Sequence, residues 1–338
     1  MHKRVTLADV AQLAGVHPGT VSRALNEKTE SQVNQATARR VRRVAKQLGY
    51  TPNAVARGLR TRLSMTIGVI IPDLTNPIFP PIVRGIDSYL APRGYSALVV
   101  NTDGSNTAER TLFESLMERQ VDGFIVATGH SQHQLMAEAH SRGVHAVMVN
   151  RDANGVPYSS VIGDDAQGIR AAVEHLVKLG HTKIVHLAGP VGFSTSHIRA
   201  SAFVAACKEY DVPGRVFDTP AYSIEAGQEA LDALLDSQLD PATAIVASND
   251  LLALGAYHSL RSHGLRCPED VSVVGFNDMP FAGDFQPPMT TVRAPHFEMG
   301  VESARLLLSE IAGSLSGAVM VTLPVSLVIR GSTAAAPH

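Results

Sequence analysis

The 338-residue chain has no tryptophan, only two cysteines, and only 18% charged residues. Two thiols, Cys207 and Cys267, are too few for a disulfide framework or a thiolate metal site. Both are expected as packing residues. No apolar run approaches the roughly 20 residues of a membrane helix. The opening residues, Met-His-Lys-Arg-Val-Thr, lead into an amphipathic segment rather than an apolar leader, so a cytoplasmic protein with no membrane partner is expected. A Gly-x-Gly-x-x-Gly phosphate loop is missing, and no cofactor is expected. Ser/His/Asp or Cys/His sets at catalytic spacing are missing too, and the chain is not expected to be an enzyme. His130 and His133 stand three apart, but no acidic or thiol partner completes a metal site there.

What is present is a charge asymmetry. Residues 1–62 hold 12 Lys/Arg and 3 Asp/Glu, while the rest holds 17 and 28, so a +9 module is joined to a −11 body. A small basic module on a large acidic body points to a polyanion partner for the module.

Leu7, Val10, Ala11 and Ala14 recur at helical spacing, Thr6 stands at the N-cap position, and Asp9 three residues on completes a capping box. Gly15 can take the positive φ that ends this helix. Pro18 opens a second helix through Thr20, Val21, Ser22, Arg23, Ala24 and Leu25. The spacing Ala11-x3-Gly15-x5-Val21 is that of a helix-turn-helix: a close approach, a turn, and a residue packing back. A third helix is predicted from about Asn34 to Leu48, closed by Gly49, with Val41, Val44, Ala45 and Leu48 as its apolar stripe. The segment from Pro52 to Arg60 can form about two helical turns, too few to be stable alone.

From Met65 the pattern changes to alternating strands and helices. Ile67–Ile71, Ala97–Val100, Phe124–Ala127 and His145–Val149 read as buried parallel strands. Ile184–Ala188, Ala244–Ala247 and Val271–Phe276 form a second set. Two βα sets predict two doubly wound parallel-sheet subdomains. The segments 296–313 and 319–329 are expected to cross back between them. The division expected is a headpiece at 1–50, a hinge helix and linker at 51–62, and a core at 63–332. The core splits into 63–163 with 295–323, and 164–294 with 324–332. Residues 333–338 read as a disordered tail.

The run Val5–Leu25, with Gly49-Tyr50-Thr51-Pro52-Asn53 and Ala56-Arg57-Gly58-Leu59, resembles the headpiece and hinge helix of the LacI/GalR family of repressors. The resemblance continues through Pro72–Phe79, Val121–Ile125, Leu179–Thr182, Ser248–Asp250, Pro268–Asp278 and Leu323-Pro324. It implies a helix-turn-helix headpiece joined to an α/β core like that of periplasmic sugar-binding proteins. It further implies a homodimer on a pseudo-palindromic double-stranded operator in the nucleoid, acting as a repressor of carbohydrate-related genes under a sugar or sugar-acid effector. The second helix would enter the major groove, with Arg23 at a base-reading position and Thr6, Thr20, Ser22 and Asn26 at phosphate positions. His17-Pro18-Gly19 departs from the polar or aromatic readers of many relatives, leaving readout to Arg23, Thr20 and His17. Tyr50 belongs to the same matching run. Leu59 matches the wedge that kinks the minor groove, with Asn53 and Ala56 facing the same groove.

Ligands of open α/β folds sit at the carboxyl ends of strands. The residues there are Phe79, Asn150, Arg151, Arg199, Tyr222, Asn249 and Asn277. Most match effector positions of the family, Arg151 least. The two aromatics suit a sugar ring face, Arg199 offers a planar fork of donors, and the amides suit hydroxyls. Many relatives carry Asp where this chain has Asn277, which favours an anionic over a cationic ligand. Two other functions share parts of this pattern. An importer's solute-binding protein would have the core but no use for a basic helix-turn-helix, and an enzyme would use the same cleft.

Overall fold

The computed structural model describes residues 5–26, 29–50, 63–130, 133–152, 155–237 and 242–337. The expected hinge helix, with Asn53, Ala56 and Leu59, lies outside the described residues. The chain divides into two compact units, 1–64 and 65–338.

Among its described residues the first unit holds three α-helices, α1 (Leu7–Ala14), α2 (Pro18–Ala24) and α3 (Gln35–Leu48), with a 3-10 turn at Glu30–Gln32 before α3. Thr6 caps α1 in a complete capping box. Its hydroxyl takes the Asp9 N–H, and the Asp9 carboxylate takes the Thr6 N–H at 2.7 Å. Gly15 ends the helix at φ 62°, and Gly49 ends α3 at φ 64°. Val10, Ala11, Ala14, Val21, Ala24, Ala38, Val41, Val44 and Ala45 form the core of this unit. On the far face of α3, Arg39, Arg40, Arg43 and Lys46 are exposed, and Arg42 pairs with Glu30.

The second unit holds two six-stranded sheets. The first lobe contains β1 (Thr66–Ile71), β2 (Ser96–Asn101), β3 (Gly123–Val126), β4 (Ala146–Val149), β5 (Ser159–Gly163) and β11 (Met320–Leu323). They are ordered β11-β5-β4-β3-β1-β2, and every pairing is parallel. The second lobe contains β6 (Ile184–Ala188), β7 (Gly214–Asp218), β8 (Ala244–Ala247), β9 (Ser272–Asn277), β10 (Thr290–Arg293) and β12 (Ser326–Val328). Their order is β12-β10-β9-β8-β6-β7, with β12 alone antiparallel. The chain crosses between lobes three times: after β5, after β10 and after β11.

In the first lobe, α4 (Phe79–Leu90) packs on α11 (His296–Ile311) through glycines on both sides. A Cβ at Gly85 would meet the Phe297 carbonyl oxygen at 2.0 Å, and one at Gly300 would meet that of Ile82 at 2.0 Å. The second lobe repeats the device between α9 (Ile224–Leu235) and α10 (Asp250–Ser262). There a Cβ at Gly255 would meet the Ile224 carbonyl oxygen at 2.1 Å. The strand ends of each lobe are thus carried on helix pairs in backbone contact.

Two expectations need correction. The strand at Ala97–Val100 exists but is not buried: β2 is an edge strand, and Leu98 and Val99 are both 37% exposed. Residues 333–337 of the tail are ordered rather than disordered. Ser332 is fully buried, donating to the Val273 carbonyl at 2.6 Å and accepting from the Thr290 N–H at 2.8 Å. Further on, the Ala334 N–H donates to Ser272 Oγ at 3.0 Å and the Ala336 N–H to the Leu179 carbonyl at 2.9 Å. Small residues of no periodicity read as unstructured, yet their backbone polar groups find partners on the second lobe.

Candidate effector cleft and nucleic-acid interface

On the first lobe, β1 leads to Phe79 at the start of α4, and β4 leads to Asn150 and Arg151. Asn150 holds φ 64° and is buried, and its N–H donates to the Val161 carbonyl of the neighbouring strand at 2.9 Å. On the second lobe, β6 leads through a glycine-bearing loop to Phe193 and α8 (Ser194–Glu209), which carries Arg199. Tyr222 and Asn249 follow β7 and β8, and Asn277 ends β9. Gly189 is required beside Tyr222, because a Cβ there would meet the tyrosine ring at 2.1 Å.

The two lobes touch at this face. The Arg151 guanidinium lies 3.8 Å above the Phe193 ring and 5.8 Å from the Tyr222 ring. The Asp152 N–H donates to Ser194 Oγ at 3.2 Å. The His130 ring meets Phe193 at 4.8 Å between centroids. Phe193 was not among the expected residues; its only sequence signal is its place in the Gly-Pro-x-Gly-Phe loop after β6.

The two guanidiniums differ sharply. Arg199, expected to present an open fork, is committed within its lobe. Its Nε and Nη2 donate to Asp165 at 2.9 and 3.1 Å, and its Nη1 donates to the Ser248 carbonyl at 2.5 Å. The Phe276 ring lies 3.8 Å beneath it. Asp165 was also missed, and burial pushes its carboxyl up while Arg199 opposes the rise. Arg151, the poorest match by sequence, is the uncommitted one. It is 6% exposed, and neither its Nε nor its Nη1 has a hydrogen-bond partner. Burial pulls it down to about 10, with Tyr222 opposing and Arg199 adding to the fall.

The amides are partly used. Asn249 caps α10, its side-chain oxygen accepting from the Leu252 N–H at 2.8 Å, which leaves its NH2 as donor. Asn277, at φ 115°, has a buried side-chain oxygen with no partner, and His296 has a buried Nε2 in the same condition. Burial and the Arg199 charge lower His296 to about 4. Beside them, Asp250 accepts from Thr291 Oγ1 at 2.5 Å and from the Met279 N–H at 2.7 Å, and burial raises it to about 7. A cavity of about 500 Å³ at the lobe crossings takes in Asn277 and His296 but none of the other six expected residues. The cross-lobe contacts locate the cleft better than that cavity does, because they involve strand ends of both sheets.

The pair His130 and His133 has an acidic neighbour after all, and this corrects the sequence reading. Buried Glu109 accepts from Thr128 Oγ1 and lies 3.2 Å from His133 Nε2. His133 Nδ1 accepts from the Met136 N–H, so the neutral ring carries its proton on Nε2, facing the carboxylate. The ligand atoms of Glu109, His130 and His133 all lie within 4.8 Å of one another.

On the headpiece, His17 caps α2, its Nδ1 accepting from the Gly19 N–H at 3.1 Å. His17, Pro18 and Arg23 are exposed, while Gly19, Thr20, Ser22 and Asn26 are half-buried. Thr6 is exposed, with its hydroxyl bonded to Asp9. Tyr50 is half-buried against the small core. One face of α2 therefore presents an exposed arginine beside hydroxyl and amide side chains.

Comparison with known proteins decides the family. Residues 6–53 match the bacterial regulatory proteins of the lacI family, and residues 173–333 match the periplasmic binding protein-like domain. The HTH-type transcriptional repressor CytR of Escherichia coli K12 is 33% identical over 98% of this chain and 97% of its own. The chain belongs to the LacI family. The ribose operon repressor of Bacillus subtilis is 32% identical over 97% of this chain and 98% of its own. Among solved structures, the lac repressor dimer bound to operator and the anti-inducer ONPF superposes with a TM-score of 0.87 at 31% identity, over 98% of this chain and 100% of that one. The complex of the regulator CelR with cellobiose superposes at 0.73, with 33% identity over 97% and 100%. As a LacI-family member, this chain is a DNA-binding transcriptional regulator with an effector-binding core.

Proposed function

We propose that the chain is a homodimeric repressor of carbohydrate-related genes, and that a small polyhydroxylated ligand between the lobes sets its affinity for a pseudo-palindromic operator. The observation that carries this is the cross-lobe contact of Arg151 with Phe193 at the strand ends. A ligand entering there must rearrange that contact, and so bears on the spacing of the lobes. The relatives support the operator and sugar chemistry, since one was solved on operator DNA and another with cellobiose.

DNA readout falls to Arg23, with Thr20 and His17, and Pro18 offers apolar contact. Thr6, Ser22 and Asn26 fix register on phosphates. Asn53, Ala56 and Leu59 extend the contact into the minor groove, and Tyr50 belongs to the same DNA-binding set. The effector is held by Phe79, Asn150, Arg151, Arg199, Tyr222, Asn249 and Asn277. The protein works in the cytoplasm at the nucleoid and acts by binding rather than catalysis. The test is to footprint the purified dimer on genomic fragments and repeat the footprint across a panel of sugars and sugar acids. A protected two-fold site whose occupancy responds to a panel member supports the reading. Binding with no two-fold site rejects it.

A further inference from the structure

We propose that the effector carries an anionic group, a carboxylate or a phosphate, and that Arg151 receives it. This rests on the cleft being the effector site.

Each buried cation of a protein must find its counter-charge somewhere. Arg199 finds it in Asp165, with a fork of two hydrogen bonds. Arg151 finds none. Its neighbours are the faces of Phe193 and Tyr222, which attract the charge but accept none of its N–H groups. Four acidic residues around the cleft are spoken for, and Asp152 is not without an interaction of its own. Asp165 is held by Arg199, and Asp250 is held by Thr291 and the Met279 N–H. Asp278 is clamped between Arg293 and Arg330 at 2.6 and 2.7 Å. Glu109 faces Thr128 and His133. At the end of β9, where a carboxylate would have added negative charge, the chain has the neutral amide of Asn277. A neutral sugar would leave the guanidinium uncompensated in the closed cleft. A ligand anion would supply both the charge and acceptors for the open donors on Nε and Nη1. The unpartnered Asn277 oxygen and His296 Nε2 remain for hydroxyls on the rest of such a molecule.

The test uses the full-length protein and matched sets: glucose, gluconate and glucose 6-phosphate; ribose, ribonate and ribose 5-phosphate. Binding is measured by calorimetry for wild type, Arg151→Met and Tyr222→Ala. Methionine keeps the reach and the apolar packing over Phe193 and removes the charge. We expect an acidic member to bind about tenfold or more tightly than its neutral parent, and Arg151→Met to erase that preference. Relieved of an unpaired buried charge, ligand-free Arg151→Met should melt no lower than wild type. Carboxylate and phosphate members separate the two sources of the anion. Neutral parents binding as tightly as their acids, or Arg151→Met keeping the preference, would overturn the inference; if Tyr222→Ala then weakens the neutral sugars, the cleft assignment still stands. If no member binds and Tyr222→Ala changes nothing, the cleft assignment falls and this inference with it.

Discussion

Arg151 and Phe193 belong to different lobes, lie 42 positions apart in sequence, and stack with the guanidinium 3.8 Å above the ring. Around them the Asp152–Ser194 hydrogen bond and the His130–Phe193 contact make a seam across the mouth of the cleft. The seam uses residues on the loops that follow β4, β6 and β3, which is where the fold concentrates variable, ligand-facing chemistry.

Removing the ring tests the seam. An entering ligand must rearrange the Arg151–Phe193 contact, and cation–π pairs contribute about 0.5–2 kcal/mol, so Phe193→Ala should tighten the best-binding sugar acid by about twofold to thirtyfold. DNA affinity without ligand should change little. The same calorimetric titration measures this, and unchanged ligand affinity would show that Phe193 only fills space.

The headpiece makes a second expectation. Exposed Arg23 on α2 is the side chain there best suited to guanine O6 and N7. Arg23→Ala should cost about 1–3 kcal/mol on the true operator and relax discrimination at one base pair per half-site. An equal loss on random DNA would assign Arg23 to phosphate instead. The +9 charge of residues 1–62 should also make operator affinity fall steeply with salt, which a titration at two salt concentrations reads directly.

Stability should depend on pH with a sign set by the buried groups. His186 and His296 are both lowered to about 4 from an ordinary 6.5, chiefly by burial. Between those values the unfolded chain holds the protons and the folded chain does not, so stability rises with pH. Asp250 runs the other way, raised from 3.8 to about 7. In that window the folded state keeps a proton the unfolded state has lost. Burial also lowers His130, His175 and His181 and raises Asp165 and Glu310, so five histidines against three carboxyls leave a net loss of stability on acidification from about pH 6.5 to 4.5, a fully shifted group contributing about 1.4 kcal/mol per pH unit. Denaturant melts across that range check the sign. His296→Gln should flatten the slope, and Asp250→Asn should steepen it.

How far the sequence carries depends on how local each signal is. Thr6, Gly15, Pro18 and Gly49 each mark a helix end within a few residues of themselves, so the headpiece is legible position by position. The buried strands are legible as apolar runs. The edge strand β7, Gly-Arg-Val-Phe-Asp at 214–218, is short and alternating, and its exposure weakens the signal. The cleft was half legible. Counting residues after strands finds Arg151, Arg199, Tyr222 and Asn249, but cannot tell which are free. The partners that decide this, Asp165 for Arg199 and Phe193 for Arg151, come from tertiary packing. The Glu109–His133 contact is of the same kind.

That distinction changes what an Arg199 substitution means. Taken as an open fork, Arg199 is a clean probe of ligand binding. Paired as it is, Arg199→Ala strands a buried carboxylate at Asp165, and Asp165→Ala strands a buried guanidinium. Breaking a buried pair from one side costs about 3–5 kcal/mol, whereas replacing both members with apolar groups of similar size can be neutral. Each single variant should therefore melt well below wild type, and Arg199→Met combined with Asp165→Leu should recover most of the loss. The recovery measures the coupling between the two residues. If the double variant loses the sum of the single losses, the pair is not acting as a unit. If it recovers stability but no longer responds to ligand, the two N–H groups of Arg199 left over from Asp165 and Ser248 are the ones the ligand uses.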